Sequence, residues 1–215
     1  MAKLRPPHPA LLVVVALLAA ATLAASFAVG RSLVLGGAEP PPASPRAPSP
    51  QPSTTAAAPA LPEGFVAFRD AERGLFLGYP ATWRRLQARD PEVALLVSAG
   101  GRDSLQVRVA ELGVEVDAGS VQAVRALTDR LVIDSPGVKL LRAPEQIELA
   151  GLPGVHYFYS FDAGRRTGVH SHYFLFDGDR MIVLVFQALP QRRFVELADT
   201  FDLIAETLVV ERAGG

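Results

Sequence analysis

The chain has 215 residues, of which 21 are lysine or arginine, 22 are aspartate or glutamate and none is cysteine. This length suits one domain plus an appendage, the lack of cysteine excludes disulfides, thiolate metal sites, cysteine nucleophiles and a lipidated cysteine, and the near-zero net charge argues against a nucleic-acid surface. Since residues 1–62 carry a net charge of +3, residues 63–215 carry −4, so the part expected to fold is mildly acidic.

An uncharged, strongly apolar run extends from Ala10 to Val29 and reads ALLVVVALLAAATLAASFAV. As an α-helix rising about 1.5 Å per residue, it would span roughly 30 Å, the thickness of the hydrocarbon core of a bilayer. We therefore predict a transmembrane signal-anchor helix over residues 10–30. Lys3 and Arg5 precede it, so the positive-inside rule places residues 1–9 in the cytoplasm and the bulk of the chain outside, in the periplasm or at the cell surface.

A cleaved signal peptide is the alternative interpretation of this segment, because signal peptides begin with the same basic end and apolar core. Their cores are usually about 7 to 15 residues long and end at a small-x-small site. Here the apolar run is longer, and its best cleavage match, Ser26-Phe27-Ala28, lies inside it. A buried helix of a soluble domain is disfavoured, because the run is apolar on every face.

Residues 31–62 are predicted to form a disordered linker rich in proline, alanine and serine. Nine of the 18 prolines fall within residues 38–62. Proline fixes φ and lacks an amide donor, and few of these side chains are large enough to bury, so the linker should be extended and polyproline-like. Loose Pro-x-x-Pro matches at 42–45 and 45–48 leave a proline-motif ligand open, although any proline-rich spacer would contain them.

We predict that residues 63–212 form one α+β domain, with an antiparallel sheet of about six to eight strands and two main helices. The first strands pair as hairpins, Phe65–Arg69 with Gly74–Tyr79 and Val93–Ser98 with Leu105–Glu111. In the last of these segments leucine and valine alternate with polar residues, which is typical of a strand with one buried face.

The first main helix is predicted after Asp117 or Ser120, either of which can cap it, and it should end before Pro136-Gly137. Its apolar positions recur at three- and four-residue spacing. They are Val121, Val124, Leu127 and Leu131.

The second half of the domain is predicted to contain strands within 138–149, at Val155–Phe161, at Val169–Phe176 and at Arg180–Gln187. Asp177-Gly178-Asp179 should form the tight turn of a hairpin between the last two. The second main helix begins near Pro190, and its apolar stripe consists of Phe194, Leu197, Phe201, Ile204 and Leu208. Strands in hairpins with only two helices favour an antiparallel α+β fold over a parallel, doubly wound one.

Four short motifs connect these elements with a known family. They read FLGYPATW at 76–83, LAGLPG at 149–154, YF at 173–174 before Gly178, and FD at 201–202 before Thr207-Leu208. Together they resemble the PsbP-like family over nearly all of residues 63–210, and the predicted anchor makes the chain similar to a membrane-anchored, bacterial-type member. The resemblance implies an antiparallel sheet with helices packed on it, and a non-enzymatic accessory or binding domain.

Two places in the domain invite a functional interpretation. Trp83 follows Tyr79-Pro80, where packing over the end of the sheet and stacking on a ligand are both open. His170 and His172 lie two apart on a predicted strand and so share one face, and His156 lies on the strand expected beside it. A zinc or copper site would require His156 beside His172, whereas solvent-facing or hydrogen-bonded histidines need no such register.

The other candidate sites have structural explanations. Ser104 resembles a hydrolase nucleophile only superficially, because the G-x-S-x-G pattern is missing. The pair Asp177 and Asp179 fits a hairpin turn, and the pair Asp199 and Asp202 fits the surface of a helix. We therefore expect no catalytic residue, no cofactor and no bound metal.

The sequence predicts a membrane-anchored, extracytoplasmic binding or accessory (scaffold) domain that is not an enzyme. Its partners would be the membrane, through residues 10–30, and an envelope or membrane protein, but not nucleic acid. The alternative is a small-ligand or metal-binding receptor, or an enzyme, that uses the region of Trp83 or of His170 and His172.

Overall fold

The computed structural model describes residues 60–100 and 102–211. The predicted cytoplasmic segment 1–9, the predicted anchor helix 10–30 and nearly all of the predicted linker 31–62 lie outside these residues. Within the described ranges, no helix is long and apolar enough to cross a bilayer.

The described residues form ten strands and two helices. The strands are β1 (Phe65–Asp70), β2 (Leu75–Pro80), β3 (Arg84–Arg85), β4 (Val93–Gly100), β5 (Asp103–Val116), β6 (Val138–Leu140), β7 (Glu145–Leu149), β8 (Leu152–Ala163), β9 (Arg166–Ala188) and β10 (Val209–Val210). The helices are α1 (Val121–Ile133) and α2 (Arg193–Glu206).

The strands are arranged in a large and a small sheet, both antiparallel. The large sheet has the order β3-β4-β5-β9-β8-β6, with β7 also paired to β8, and the small sheet has the order β1-β2-β10. The predicted hairpins β1–β2 and β4–β5 both form. The antiparallel α+β architecture with two main helices is therefore confirmed.

Strand β9 reverses direction in its middle, so its two halves form the two arms of a hairpin. The carbonyl oxygen of Thr167 accepts a hydrogen bond of 2.8 Å from the Gln191 amide, and the rings of Tyr173 and Phe186 lie 5.9 Å apart. A straight strand would separate those two rings by about 43 Å. The reversal falls at Gly178, whose φ of 63° suits the first central position of a type II′ turn. The predicted hairpin turn is thus present.

One face of the large sheet is covered by α1, and we call it the α1 face. Side chains directly opposite each other in an antiparallel pair lie on the same face, so the registers assign each strand residue to a face. Val121 and Val124 of α1 pack in one buried cluster with Tyr157, Phe174 and Met181 of the sheet. Val121, Val124 and Leu131 of the predicted stripe therefore face the core.

The opposite face of the large sheet is covered by α2, and we call it the α2 face. Phe201 and Ile204 of α2 share a buried cluster with Leu105 and Phe186 of the large sheet. Leu77 of the small sheet belongs to the same cluster. The apolar stripe of α2 thus joins the two sheets into one core.

Strand β5 is buried on both faces, so the predicted single buried face is wrong. Leu105 and Val107 on the α2 face are 0 % and 1 % exposed, while Gln106 and Arg108 on the α1 face are 4 % and 3 % exposed. Alternation of apolar and polar residues predicts a solvated face. Here the polar face of β5 is buried as well, and its polar groups are buried with it.

The two predicted capping residues of α1 bind each other. The Ser120 amide donates to Asp117 Oδ1 at 2.8 Å, and the Asp117 amide donates to Ser120 Oγ at 2.8 Å. Ser120 occupies the N-cap position, but its hydroxyl makes no bond to the helix amides. The pair therefore closes the turn that leads into α1.

Replacing Gly74 with alanine should lower the free energy of unfolding by about 2 to 3 kcal/mol. Its φ of 62° costs an L-residue about 1 kcal/mol, and an added Cβ would lie 2.4 Å from the carbonyl oxygen of Glu211, so the backbone at β10 must shift at a further cost of about 1 to 2 kcal/mol. Gly113→Ala is the control, because φ is 66° and no atom lies within 4 Å of the added Cβ. Urea denaturation measures the loss of stability in both variants, and the difference between the two losses is the cost of the contact with Glu211. Equal losses would contradict this cost.

Candidate functional site

Trp83 lies in the turn after β2 and is part of the hydrophobic core. Its side chain is 8 % exposed, and its ring meets that of Phe201 edge-on at 6.1 Å. The Trp83 amide donates to the carbonyl oxygen of Pro80 at 2.9 Å, which fixes the turn. The packing interpretation of Trp83 is confirmed, and its indole contributes to the core beneath α2.

The three histidines of the domain do not converge. His170 and His172 lie opposite Tyr159 and Tyr157 on the α1 face. His156 lies opposite Tyr173 on the α2 face, where the two rings stack at 4.3 Å. The register therefore rules out the arrangement that a three-histidine metal site would need.

Among residues 60–100 and 102–211, no group of three or more histidine, aspartate or glutamate side chains is placed to hold a metal ion. His156 is instead bound to polar neighbours on its own face. Its Nε2 lies 2.8 Å from Ser171 Oγ, and its Nδ1 lies 3.3 Å from Arg142 Nη2. Burial and the nearby Arg142 guanidinium lower the pKa of His156 to about 4.

A row of buried polar side chains crosses the α1 face, and we call it the polar row. Neighbouring members lie opposite each other on paired strands, except that a side-chain contact links Gln187 to His170. Its members are Ser98, Ser104, Gln187, His170 and Tyr159, with exposures of 8 %, 5 %, 4 %, 2 % and 1 %. Buried polar groups are stable only when they are hydrogen-bonded, so the partners within the row decide what it can do.

One hydrogen-bonded chain fixes the proton positions in the polar row. Gln187 Nε2 donates to the Arg102 carbonyl oxygen at 2.7 Å, so Gln187 Oε1 is the acceptor facing His170 Nε2 at 3.0 Å. His170 Nε2 therefore carries a proton, and His170 Nδ1 accepts from the Tyr159 hydroxyl at 3.0 Å. The Tyr159 oxygen then accepts from His172 Nδ1 at 3.2 Å. This leaves His172 Nε2 as an unprotonated acceptor.

Burial keeps the side chains of this hydrogen-bonded series uncharged at neutral pH. Burial lowers the pKa of His170 to about 4, partly opposed by the hydrogen bond to Gln187. Burial lowers the pKa of His172 well below its usual value, and repulsion from His170 and His156 lowers it further. Burial also raises the pKa of Tyr159. The imidazoles of the α1 face are therefore neutral hydrogen-bonding groups at pH 7.

Within residues 60–100 and 102–211, three buried side-chain atoms on the α1 face have no hydrogen-bond partner. They are His172 Nε2, Gln106 Nε2 and Arg108 Nη1. The other guanidinium nitrogens of Arg108 are bound, since Nε donates to Glu92 at 2.8 Å and Nη2 donates to Asp90 at 2.6 Å. An unsatisfied buried donor or acceptor costs about 1 to 3 kcal/mol, so each of these atoms lowers the stability of the folded domain.

The remaining sequence candidates are spread over the domain. Ser104 is buried in the polar row, Asp177 forms an ion pair with Arg180 beside the hairpin turn, and Asp199 and Asp202 are exposed on α2. These positions match the structural explanations given for them. The aspartate pairs do not lie with the histidines of the α1 face.

The sequence offers no signal for several residues that build the polar face. In the strands that contain Tyr159 and Gln187, the sequence does not distinguish residues on a covered face from residues that face solvent. Gln106 and Arg108 belong to a strand that looks half exposed. Only the registers bring these side chains beside the two histidines.

No family model matches the sequence, and no curated protein matches it. Several solved structures are similar. CyanoP, the cyanobacterial PsbP of Synechocystis, has a TM-score of 0.53 and 17 % identity over 74 % of this chain and 99 % of its own. LpqN of Mycobacterium tuberculosis, which is involved in cell envelope biogenesis, has 12 % identity and a TM-score of 0.49 over 68 % of this chain and 90 % of its own. PA94 of Pseudomonas aeruginosa, of unknown function, has 16 % identity and a TM-score of 0.44 over 69 % of this chain and 99 % of its own.

The likeness to CyanoP extends over the whole of that chain, and at this level of identity it bears on the fold alone. The antiparallel sheets and the two helices packed on the large sheet agree with the architecture that the resemblance implied. The described part of the chain has a PsbP-like fold.

Proposed function

We propose that this chain is a single-pass membrane protein whose PsbP-like domain acts outside the cytoplasm as a non-enzymatic binding or accessory module. The observation that carries the proposal is the uncharged run from Ala10 to Val29, preceded by Lys3 and Arg5 and followed by a proline-rich segment. A domain held in this way is positioned to meet proteins of the envelope or the membrane. The partner is accordingly a protein of that compartment.

The interior of the domain supports a binding role over catalysis. Gln187, His170 and Tyr159 are hydrogen-bonded to one another or to backbone. General acid catalysis near pH 7 needs a group whose pKa lies near 7, and the pKa of His170 is about 4. We therefore assign the hydrogen-bonded part of the polar row to the stability of the sheet.

The topology can be tested with reporters fused after Gly215. We expect alkaline phosphatase, which is active only outside the cytoplasm, to be active there, and a cytoplasm-active fluorescent reporter to be dark. Deleting residues 10–30 should reverse both results, because the export signal is lost. Phosphatase activity in the deleted chain, or intact full-length chain in the cytosol, would contradict the topology. The mass of the membrane-bound chain separates an uncleaved anchor from a cleaved signal peptide.

The accessory role requires a partner that recognises the folded domain. Crosslinking in intact cells should give discrete adducts with the full chain that are lost from a control retaining only residues 1–62. The same adducts should be lost when the domain is unfolded by a core substitution and kept in the surface variant Glu148→Gln, whose residue is exposed. Adducts that persist in the control lacking the domain would assign binding to the anchor or linker and overturn the accessory role.

A further inference from the structure

Several loops at one end of the domain lie together near residue 60, where the described chain begins after the proline-rich segment. We call this end the linker end. Four contacts join its loops in series across the two sheets. They link Gly64 with Ala81, Arg84 with Ser98, Asp103 with Leu189, and Thr167 with Gln191. The β4–β5 turn, the β8–β9 turn and the start of α2 therefore lie on the side of the domain that the linker enters.

The linker end carries exposed arginines that are not neutralised by carboxylates. Within residues 60–100 and 102–211 these arginines take part in no ion pair. They are Arg84, Arg102, Arg165, Arg166 and Arg192. The exposed carboxylates of this end are fewer, namely Glu63, Asp134 and Asp162. Two further carboxylates, Asp103 and Glu196, are already paired with Arg193, so the free charge of the linker end is positive.

The opposite end of the domain carries the opposite charge, and we call it the acidic end. It contains the β1–β2 turn and the turn at Gly178, which are neighbours because Arg180 Nη1 donates to the Arg73 carbonyl oxygen at 3.0 Å. Both arginines form ion pairs, Arg73 with Asp70 and Arg180 with Asp177. The exposed carboxylates that form no ion pair with described residues are Glu72, Glu111, Glu115, Asp117 and Asp179. The domain is therefore an electrostatic dipole with its positive pole at the linker end.

Anionic phospholipid headgroups fit this positive pole. A chain anchored through residues 10–30 keeps its domain close to the bilayer, so the effective concentration of headgroups at the linker end is high. Guanidinium groups bind phosphate oxygens through paired hydrogen bonds. The same anionic surface repels the acidic end, so the dipole determines which end of the domain approaches the bilayer.

We propose that the linker end docks on anionic phospholipid headgroups of the bilayer in which the chain is anchored. The contacts are made by Arg165 and Arg166 at the β8–β9 turn and by Arg102 at the β4–β5 turn. This inference rests on the anchor of the proposed function and adds an orientation to it, with the acidic end pointing away from the membrane. Each arginine near an anionic surface should strengthen docking about fivefold.

Quenching of a single fluorophore by headgroup-labelled lipids tests the docking. The chain has no cysteine, so a fluorophore can be attached at one introduced cysteine. Ala81→Cys labels the linker end and Ala71→Cys labels the acidic end, and both alanines are exposed. The full chain is inserted into nanodiscs with nitroxide-labelled headgroups, made of phosphatidylcholine alone or of phosphatidylcholine mixed with phosphatidylglycerol. We expect quenching at position 81 in the anionic nanodiscs only, and none at position 71.

A matched pair of double variants assigns the docking to the arginines. Arg165→Gln/Arg166→Gln should weaken docking about fivefold for each arginine removed. Arg69→Gln/Arg89→Gln removes the same charge from exposed positions toward the acidic end and should leave the quenching unchanged. If the first variant fails to fold, salt tests the unaltered chain. Raising the ionic strength from about 0.1 M to about 1 M shortens the Debye length from about 10 Å to about 3 Å and should remove the quenching.

Three results would overturn lipid docking. They are equal quenching at position 81 in both kinds of nanodisc, equal effects of the two double variants, and quenching that persists in high salt. An unquenched label at position 81, together with loss of the crosslinked adducts from Arg165→Gln/Arg166→Gln, would assign the linker end to a protein partner instead. A full chain that does not insert into nanodiscs contradicts the anchor and this inference together, whereas an inserted chain without quenching contradicts this inference alone.

Discussion

Acidification from pH 7 to pH 5 should lower the free energy of unfolding by about 4 kcal/mol or more. Burial holds the pKa of His156 and of His170 at about 4, and that of His172 is also strongly lowered. The unfolded chain takes up protons at its histidines below a pH of about 6.5, while the folded domain does not. The stabilisation is therefore fully present above pH 6.5 and is lost as the pH falls from 6.5 to about 4, with about 2 kcal/mol lost by pH 5 for each of His156 and His170.

Urea denaturation of the full chain in dodecyl maltoside micelles, followed through the emission of Trp83, measures this loss at each pH. Trp83 is the single tryptophan of the chain and is buried. His170→Gln remains neutral at every pH and should reduce the slope between pH 6 and pH 5 by about 1.4 kcal/mol per pH unit. An unchanged slope in that variant, or a flat profile in the original chain, would contradict the neutral buried histidines.

Replacing Phe201 with alanine should lower the free energy of unfolding by about 3 to 5 kcal/mol. The ring is 2 % exposed and touches the rings of Trp83, Phe186 and Phe194 at centroid distances of 6.1, 4.9 and 5.9 Å. These contacts join α2, the large sheet and the turn after the small sheet. Truncation leaves a cavity at their junction that surrounding side chains can fill only in part.

Two variants control for this loss. Phe201→Leu keeps most of the buried volume and should cost less than half as much, and Val195→Ala on the exposed side of the same helix should change stability by less than about 0.5 kcal/mol. Val195 is 83 % exposed. If Phe201→Ala does not fold, the loss of stability in Phe201→Leu can still be compared with that in Val195→Ala. Equal effects at positions 201 and 195 would show that the aromatic junction does not stabilise the domain.

Elements with local chemistry were predictable from the sequence. The turn at Gly178 depends on a residue that tolerates positive φ between two apolar segments, and it is found where it was predicted. The apolar stripe of α2 was predictable for a similar reason, because Leu197, Phe201 and Ile204 recur at helical spacing and are buried.

Elements that depend on distant partners were not predictable. Strands β3 (Arg84–Arg85) and β10 (Val209–Val210) have two residues each, too few for any periodicity, and exist through pairing with β4 and β2. The face of His156 depended on the register across the turn between β8 and β9, where a slip of one residue moves every side chain to the other face.

The buried polar groups escaped prediction for a third reason. A strand such as β5, in which Gln106 and Arg108 alternate with leucine and valine, has the pattern of a half-exposed strand. Nothing in the local pattern indicates that both faces of this strand are buried. The candidate site on the α1 face depends on which strands are neighbours in the sheet, and the local sequence does not determine this.

The reversal within β9 has a consequence for the order in which the domain assembles. Its two arms lie at the middle of the large sheet and are consecutive in the chain, so they can meet at little cost in loop-closure entropy. The small sheet instead requires β10, and the pairing of β10 with β2 closes a loop of about 130 residues. The centre of the large sheet can therefore form early, whereas the small sheet stays incomplete until β10 pairs with β2.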